Sequence, residues 1–126
     1  MKTLNIIETA YRATIEEQDD TIVWITHAMK GAGADLSVLL RGNAVNYAVK
    51  GQDASGLSFG SEKQTHPPMI AEDVAALMKK GVAVYIAEED VAARGLERTD
   101  LIEGLKPVSR AGIAKLFDEH DQIWNW

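Results

Sequence analysis

Apolar runs and amphipathic segments alternate along the chain. The runs at residues 4–7, 35–42 and 82–87 are short and apolar, which is typical of buried β-strands, and shorter runs at 106–108 and 121–126 predict two more. Helical patterns separate them, over residues 15–30, 43–51, 67–81, 90–94 and 110–119. Strands that alternate with helices predict a mostly parallel sheet with helices on both faces. No linker interrupts the pattern, so we expect a single domain over residues 1–126.

The first helix carries two conflicting patterns. Thr14 and Glu17 have the spacing of a capping box, and Gly31 is a typical end, which predicts a helix over residues 15–30. The segment TIVWIT at 21–26 is β-branched and aromatic, and this composition favours a strand. We predict a helix, because packing often overrides local propensity.

Two later helices have clearer ends. Pro67-Pro68 opens a helix whose apolar face is formed by Ile70, Val74, Leu77 and Met78, and Ser109 is the predicted N-cap of the helix at 110–119. Between the second and third helical patterns, residues 52–66 form a long polar stretch that contains glycines. Loops of this length are usually functional or disordered.

Composition excludes several classes of function. The chain has 126 residues, a formal net charge of −6 and no cysteine. The acidic balance argues against a nucleic-acid partner, and the lack of cysteine excludes disulfides, thiolate metal sites and cysteine catalysis. Glu8 interrupts the apolar N-terminal run, and no run approaches the length of a membrane span, so we expect no membrane partner and a cytoplasmic location. No motif calls for a metal or another cofactor.

The strand at 82–87 ends where chemistry is expected, yet no nucleophile follows it. The segment VAVYIAEEDVAARG passes from the apolar run into Glu88-Glu89-Asp90 and then to Arg94-Gly95. The acidic residues are candidates for paired carboxylates or for a cation site, but helix N-terminal capping explains them as well. Among the three histidines, His66 is the best placed for acid–base work, although an exposed loop histidine is the simpler interpretation.

Two arginines follow predicted strands. Arg12 comes after the first strand and Arg94 after the third, so both would lie at the carboxyl edge of a parallel sheet. If those strands are neighbours, the two guanidinium groups could flank an anionic group.

The chain end is also unusual, because Trp124 and Trp126 are two of its last three residues. Such an end is normally docked, in its own sheet or in a subunit interface.

Four segments in order resemble the DsrE/DsrF-like family of small proteins of sulfur metabolism. They are TAYRAT at 9–14, LLRGNAVNYAVKGQ at 39–52, GVAVYIAEEDVAARGL at 81–96, and DLIEGLKPVSRAGIAKLFDEHDQIWNW at 100–126. The resemblance implies a three-layer α/β/α sandwich around a five-stranded, mainly parallel sheet. It also implies assembly into homotrimers, homohexamers or mixed hexamers of related subunits.

The resemblance places the family's sulfur chemistry at Ala87. In sulfur-relay members a cysteine at the end of this strand accepts sulfur as a persulfide, and counting back from Arg94 puts that position at Ala87. Alanine cannot carry a persulfide, so relay activity is not expected. Arg12 also replaces the glycine that usually follows the tyrosine of the first loop.

Three interpretations remain open. The first is a non-catalytic, oligomeric binding or accessory protein, with a small molecule or a sulfur-carrier protein as partner. The second is a small-ligand binder or enzyme that uses the strand-end pocket. The third is a structural subunit in a mixed complex with a cysteine-bearing paralogue. The candidate pocket residues are Tyr11, Arg12, His66, Ala87, Glu88, Asp90, Arg94 and Gly95.

Overall fold

A computed structural model describes residues 1–11, 16 and 20–126. The strands in this part of the chain are β1 (Lys2–Ile7), β2 (Asp35–Leu40), β3 (Ser58–Phe59), β4 (Glu62–Lys63), β5 (Ala83–Ala87), β6 (Lys106–Val108) and β7 (Gln122–Asn125). The α-helices are α1 (Thr21–Gly31), α2 (Ile70–Lys79), α3 (Glu88–Ala93) and α4 (Arg110–Asp118). Two 3₁₀ helices cover Gly42–Ala48 and Arg98–Asp100.

Five strands form one parallel sheet in the order β6-β5-β2-β1-β7. The chain moves in one direction from β1 through β2 and β5 to β6, and then returns across the sheet to β7. Because parallel crossovers are right-handed, this reversal places α4 on the face opposite α1 and α2. The predicted α/β/α sandwich around a five-stranded parallel sheet is therefore confirmed.

The two faces of the sheet have separate hydrophobic cores. The larger core packs α1 and α2 against one face and includes Val23, Val38, Val74 and Ile86. The smaller core, under α4, contains Leu4, Ile6, Leu39 and Leu116. Side chains alternate between the faces along each strand, so Ile86 belongs to the larger core while Ala87 points to the α4 side.

Helix α1 begins later than its capping pattern predicts. Thr14 lies outside the described residues, and Glu16 is not helical. The N-cap is Asp20, whose buried carboxylate accepts hydrogen bonds from the backbone N–H groups of Ile22 (2.8 Å) and Val23 (3.1 Å). Its other oxygen accepts the hydroxyl proton of Tyr47 at 2.6 Å. The predicted start at residue 15 is therefore wrong. The helix begins after Asp20, whose carboxylate is held in place by Tyr47, a residue distant in sequence.

The segment with strand-like composition is helical. Ile22, Val23 and Thr26 of α1 are buried against the sheet. The Thr26 hydroxyl donates to the Ile22 carbonyl at 2.6 Å and accepts from the Asn5 Nδ2 of β1 at 2.7 Å. Packing against the sheet thus overrides the β propensity of this segment.

The long polar stretch at 52–66 contains a small antiparallel hairpin. Strands β3 and β4 pair Ser58 with Lys63 and Phe59 with Glu62, and all four residues are exposed. The hairpin lies outside the main sheet.

The C-terminal strand docks in the chain's own sheet. Strand β7 pairs with β1, and the Trp126 backbone N–H donates to the Ile6 carbonyl at 3.0 Å. The Trp126 indole Nε1 donates to Asn5 Oδ1, which belongs to a side chain only 1% exposed. Trp124 and Trp126 nevertheless keep 37% and 41% of their surface exposed. Docking in the sheet, one of the two arrangements expected from the sequence, is thus observed.

Candidate binding site at the carboxyl edge of the sheet

Ala87 closes β5 at the carboxyl edge of the sheet. It is 2% exposed and pairs with Val108 of β6. On its other side, the β2–β5 register pairs Leu40 with Ile86, so the next step along both strands brings Arg41 beside Ala87. The side chains of parallel neighbours point to the same face, and this places Arg41 and Ala87 together on the α4 side.

Arg41 lies at the centre of a polar cluster that spans three strand ends. Its Nη2 is 3.1 Å from Asn125 Oδ1 and 3.5 Å from Glu8 Oε2. Asn125 Nδ2 is also 3.5 Å from the same Glu8 oxygen. The Arg41 Nε is buried and has no hydrogen-bond acceptor in the described part of the chain. The two Nη2 contacts hold the guanidinium group against Glu8 and Asn125, and its Nε is a buried donor without an acceptor in this part of the chain.

The acidic residues after Ala87 connect neighbouring elements. Asp90 Oδ2 accepts the backbone N–H of Gly42 at 2.7 Å, at the start of the first 3₁₀ helix. Glu89 Oε2 accepts the backbone N–H of Arg110 at 2.7 Å, in the first turn of α4. Both carboxylates therefore satisfy backbone N–H groups at the starts of neighbouring helices, while their place in the first turn of α3 puts negative charge at the N-terminus of that helix. Glu88, the first residue of α3, is exposed.

Arg94 also connects α3 to the segment after β2, and Gly95 follows the end of this helix. The Arg94 guanidinium donates to Asn43 Oδ1 at 2.7 Å and to the Asp90 carbonyl at 3.1 Å, so it joins α3 to the segment after β2. Gly95 follows the C-cap of α3 with φ of 67°, a conformation that glycine adopts without a steric penalty. These contacts explain both residues structurally, and their role in ligand binding stays a prediction.

Tyr11 lies at a cavity away from the Arg41 cluster. Its ring meets Tyr47 edge-on at 5.3 Å, and its hydroxyl donates to Gln52 Oε1 at 3.0 Å. It lines a cavity of about 150 Å³ next to Pro68 and Glu72, at the start of α2. Partial burial raises the pKa of the Tyr11 hydroxyl above its ordinary value.

His66 lies in the polar stretch, beside Glu16. The Glu16 carboxylate accepts the backbone N–H groups of Thr65 (2.8 Å) and His66, and the His66 ring nitrogen Nδ1 is 3.9 Å from it. The ring is largely exposed, which agrees with the simpler interpretation of a loop histidine.

The proposed pairing of Arg12 with Arg94 loses its geometric basis. Arg12 lies outside the described residues, and the pairing required the first and third strands of the sheet to be neighbours. Strand β2 lies between β1 and β5. Arg12 and Arg94 lie several positions beyond their strands, whereas Glu8 and Arg41 come directly after the last residues of β1 and β2. A polar residue directly after a predicted strand is the sequence signal that could have identified Glu8 and Arg41.

The side chains at this edge differ in the chemistry that they offer. Ala87 offers only a methyl group, while Arg41, Glu8 and Asn125 offer hydrogen-bond donors and acceptors. No cluster of three histidine or carboxylate side chains that could hold a metal ion occurs among the described residues. In the same part of the chain, no helix has the length and apolar character that crossing a bilayer requires.

Comparisons with known proteins agree with this architecture. No curated protein matches the chain. Among solved structures, the chain is similar to the YchN protein from E. coli, with 17% identity, full coverage of both chains and a TM-score of 0.73. It is also similar to MTH1491 from Methanobacterium thermoautotrophicum, a protein of unknown function, with 14% identity, coverage of 99% and 98%, and a TM-score of 0.60.

The family comparison covers almost the whole sequence. The model of the DsrE/DsrF-like family matches residues 2–126, which include every strand of the parallel sheet and the edge at Ala87. The resemblance inferred from four segments is thereby confirmed. The chain belongs to the DsrE/DsrF-like family.

Proposed function

We propose that this chain is a DsrE/DsrF-like protein without the relay cysteine, which acts as a non-catalytic, oligomeric binding or accessory protein in intracellular sulfur metabolism. The observation that carries the proposal is the identity of the strand-end residue. Ala87 is 2% exposed at the end of β5, and the sequence contains no cysteine. Sulfur transfer through a persulfide needs a thiolate, so the chain has no group that can accept the sulfur.

The first experiment restores the thiol. In Ala87→Cys, the new thiolate would attack the terminal sulfur of a small persulfide donor, form its own persulfide S–S bond and release the donor as a thiolate. Intact-protein mass spectrometry should show the gain of one sulfur atom in this variant and no gain in the wild type. Sulfur transfer by the wild type to an acceptor thiol would overturn the non-catalytic assignment.

Ala83→Cys is the matched control. Ala83 lies on the same strand and the same face as Ala87, at the opposite end of β5. It therefore places an identical thiol away from Arg41 and the acidic residues of α3. Equal sulfur gain by both variants would show that the carboxyl edge has no special ability to accept sulfur. A gain of sulfur by Ala87→Cys alone would support the proposal that the carboxyl edge keeps the family's geometry and lacks only the reactive sulfur atom.

The outer edge of the sheet supports assembly. Strand β7 is an edge strand with exposed residues throughout, including Ile123, Trp124 and, directly after it, Trp126. Exposed apolar side chains on an edge strand are a common feature of subunit interfaces. Native mass spectrometry of the purified protein should therefore show trimers or hexamers. A monomer at all concentrations would overturn the homo-oligomer, and added cysteine-bearing paralogue would then test the mixed complex.

A second candidate function is the binding of a small anion at the carboxyl edge. The specific observation is the buried Nε of Arg41, the residue that follows β2, which has no acceptor among the described residues. A bound anion would satisfy this donor. Native mass spectrometry that preserves co-purified molecules would test it, and an Arg41→Gln variant should lose any such molecule.

A further inference from the structure

A second cleft lies on the other side of the sheet. It has a volume of about 420 Å³, within the range of small-molecule sites, and Ile86 and Pro107 form part of its wall. These two residues are partners in the β5–β6 pairing, so they share a face of the sheet. Ile86 belongs to the larger core, whereas Ala87 points to the α4 side. The sheet therefore separates this cleft from the carboxyl-edge cluster of Arg41.

The walls of the cleft are fixed by the backbone. The Lys50 N–H donates to the Asp100 carbonyl at 3.0 Å, and Val49 forms an antiparallel bridge with Leu101. A capping box between Glu97 and Asp100 stabilises the 3₁₀ helix that carries Arg98. Lys50 and Arg98 therefore lie on two segments that are held together before any ligand arrives.

The charges in the cleft are unusual for this acidic protein. Lys50 and Arg98 contribute two positive charges and Glu103 one negative charge, whereas the whole chain carries −6. In the described part of the chain, neither cation makes a side-chain hydrogen bond or ion pair. Both cations can thus turn toward a ligand without breaking an internal contact.

The remaining lining is mainly aliphatic. Leu101, Ile102 and Leu105 join Ile86 and Pro107, and Leu101 is anchored in the larger core. Apolar walls with a few charged groups are the usual composition of a small-molecule site. We propose that this cleft binds a small organic anion with an apolar chain, whose charge contacts Lys50 and Arg98 and whose chain contacts the aliphatic wall.

Octanoate is the probe, and amide chemical shifts of the full-length protein are the measurement. Titration should shift the resonances of residues 98–105, Lys50 and Ile86 first. Across the series from butanoate to octanoate, affinity should rise about two- to fourfold per methylene group, as expected for buried apolar chain. Octanol, which has the chain but no charge, should bind roughly tenfold more weakly.

Charge variants separate a specific site from general attraction. Lys50→Gln and Arg98→Gln should each weaken octanoate binding by about tenfold, and Glu103→Gln should strengthen it. Lys115→Gln is the matched control, because it removes the same charge from α4 on the other face and should change nothing. All four side chains are exposed, and the spectrum of each variant reports directly whether it is folded.

Three results would overturn the proposal. They are shifts that map elsewhere on the molecule, octanol binding as tight as octanoate, and equal effects of Lys50→Gln, Arg98→Gln and Lys115→Gln. Because Ala87 and Arg41 take no part in this cleft, each of these results leaves the sulfur-acceptor experiments unaffected.

Discussion

The indole of Trp126 supplies a hydrogen bond to a buried amide, and its removal can be tested with a close control. Nε1 donates to Asn5 Oδ1, while Asn5 Nδ2 donates to Thr26 Oγ1 at 2.7 Å. Asn5 is 1% exposed, so water has little access to the oxygen that Trp126 satisfies. Trp126→Phe keeps an aromatic ring at this position but removes the donor.

The cost follows from the orphaned oxygen. A buried acceptor that loses its donor costs about 1–3 kcal/mol, whereas an exposed substitution usually changes stability by less than about 0.5 kcal/mol. For a chain of 126 residues, each kcal/mol lowers the midpoint temperature by about 4 °C. Trp126→Phe should therefore lower it by roughly 4–12 °C.

Trp124→Phe is the control, because it removes the same atoms from a ring that is exposed to a similar extent and makes no indole hydrogen bond in the described part of the chain. Thermal unfolding of both variants, followed by circular dichroism, gives the comparison. A drop of equal size in the two variants would contradict a role for the Trp126 hydrogen bond, since it would assign the loss of stability to ring contacts.

Three further predictions concern the region around the first helix and the strand ends. Asp20→Ala should lower the free energy of unfolding in urea by about 2–4 kcal/mol, because it removes the cap of α1 and the acceptor of the Tyr47 hydroxyl proton. Gly42→Ala should cost about 1–2 kcal/mol in the same assay, because φ is 57° and the new Cβ would lie 3.1 Å from Glu8 Cγ. Above pH 10, the stability of the wild type should fall more steeply than that of Tyr11→Phe. The Tyr11 pKa is raised on folding, so its contribution is present below its ordinary value of 10.0 and is lost as pH rises through the folded pKa.

Each of these has its own comparison. Ser109→Ala removes an ordinary cap, whose hydroxyl accepts one N–H at 3.1 Å, and should cost only about 1 kcal/mol. An equal loss for Asp20→Ala would contradict its longer-range role. Gly51→Ala has a φ of 76° but no atom within 4 Å, so it should cost less than Gly42→Ala. Parallel pH curves for the wild type and Tyr11→Phe would contradict the shift at Tyr11.

The sequence pattern was sufficient for elements whose determinants are local. The apolar run before Ala87 predicts β5 to within one residue, and Ser109 caps α4 as expected. The start of α1 was predicted wrongly, because Asp20 becomes the cap through contacts that include Tyr47, 27 positions away. A capping pattern in sequence shows which residues can cap, and the fold selects among them.

Some residues of the candidate site could likewise be predicted from the sequence, and others depend on the fold. The resemblance gave Ala87 its importance, and the structure places it at the edge of the sheet as a strand end requires. Glu8 and Arg41 directly follow their strands and could have been found, whereas Asn125 could not, because only the sheet order shows that β7 lies beside β1. Asp90 and Arg94 were predicted as pocket residues, and their observed contacts connect α3 to the segment after β2.

The pairing of β1 with β7 also has a consequence for folding kinetics. It joins positions as far apart as Lys2 and Asp121, a separation of 119 residues. The chain entropy of closing so long a loop must be lost before the contacts are gained, and such contacts slow folding. During folding, before β7 pairs with β1, the backbone of β1 is an unpaired sheet edge with apolar residues that can pair with another chain. We therefore expect the rate of refolding to depend on β7, and variants that weaken its docking to aggregate during refolding.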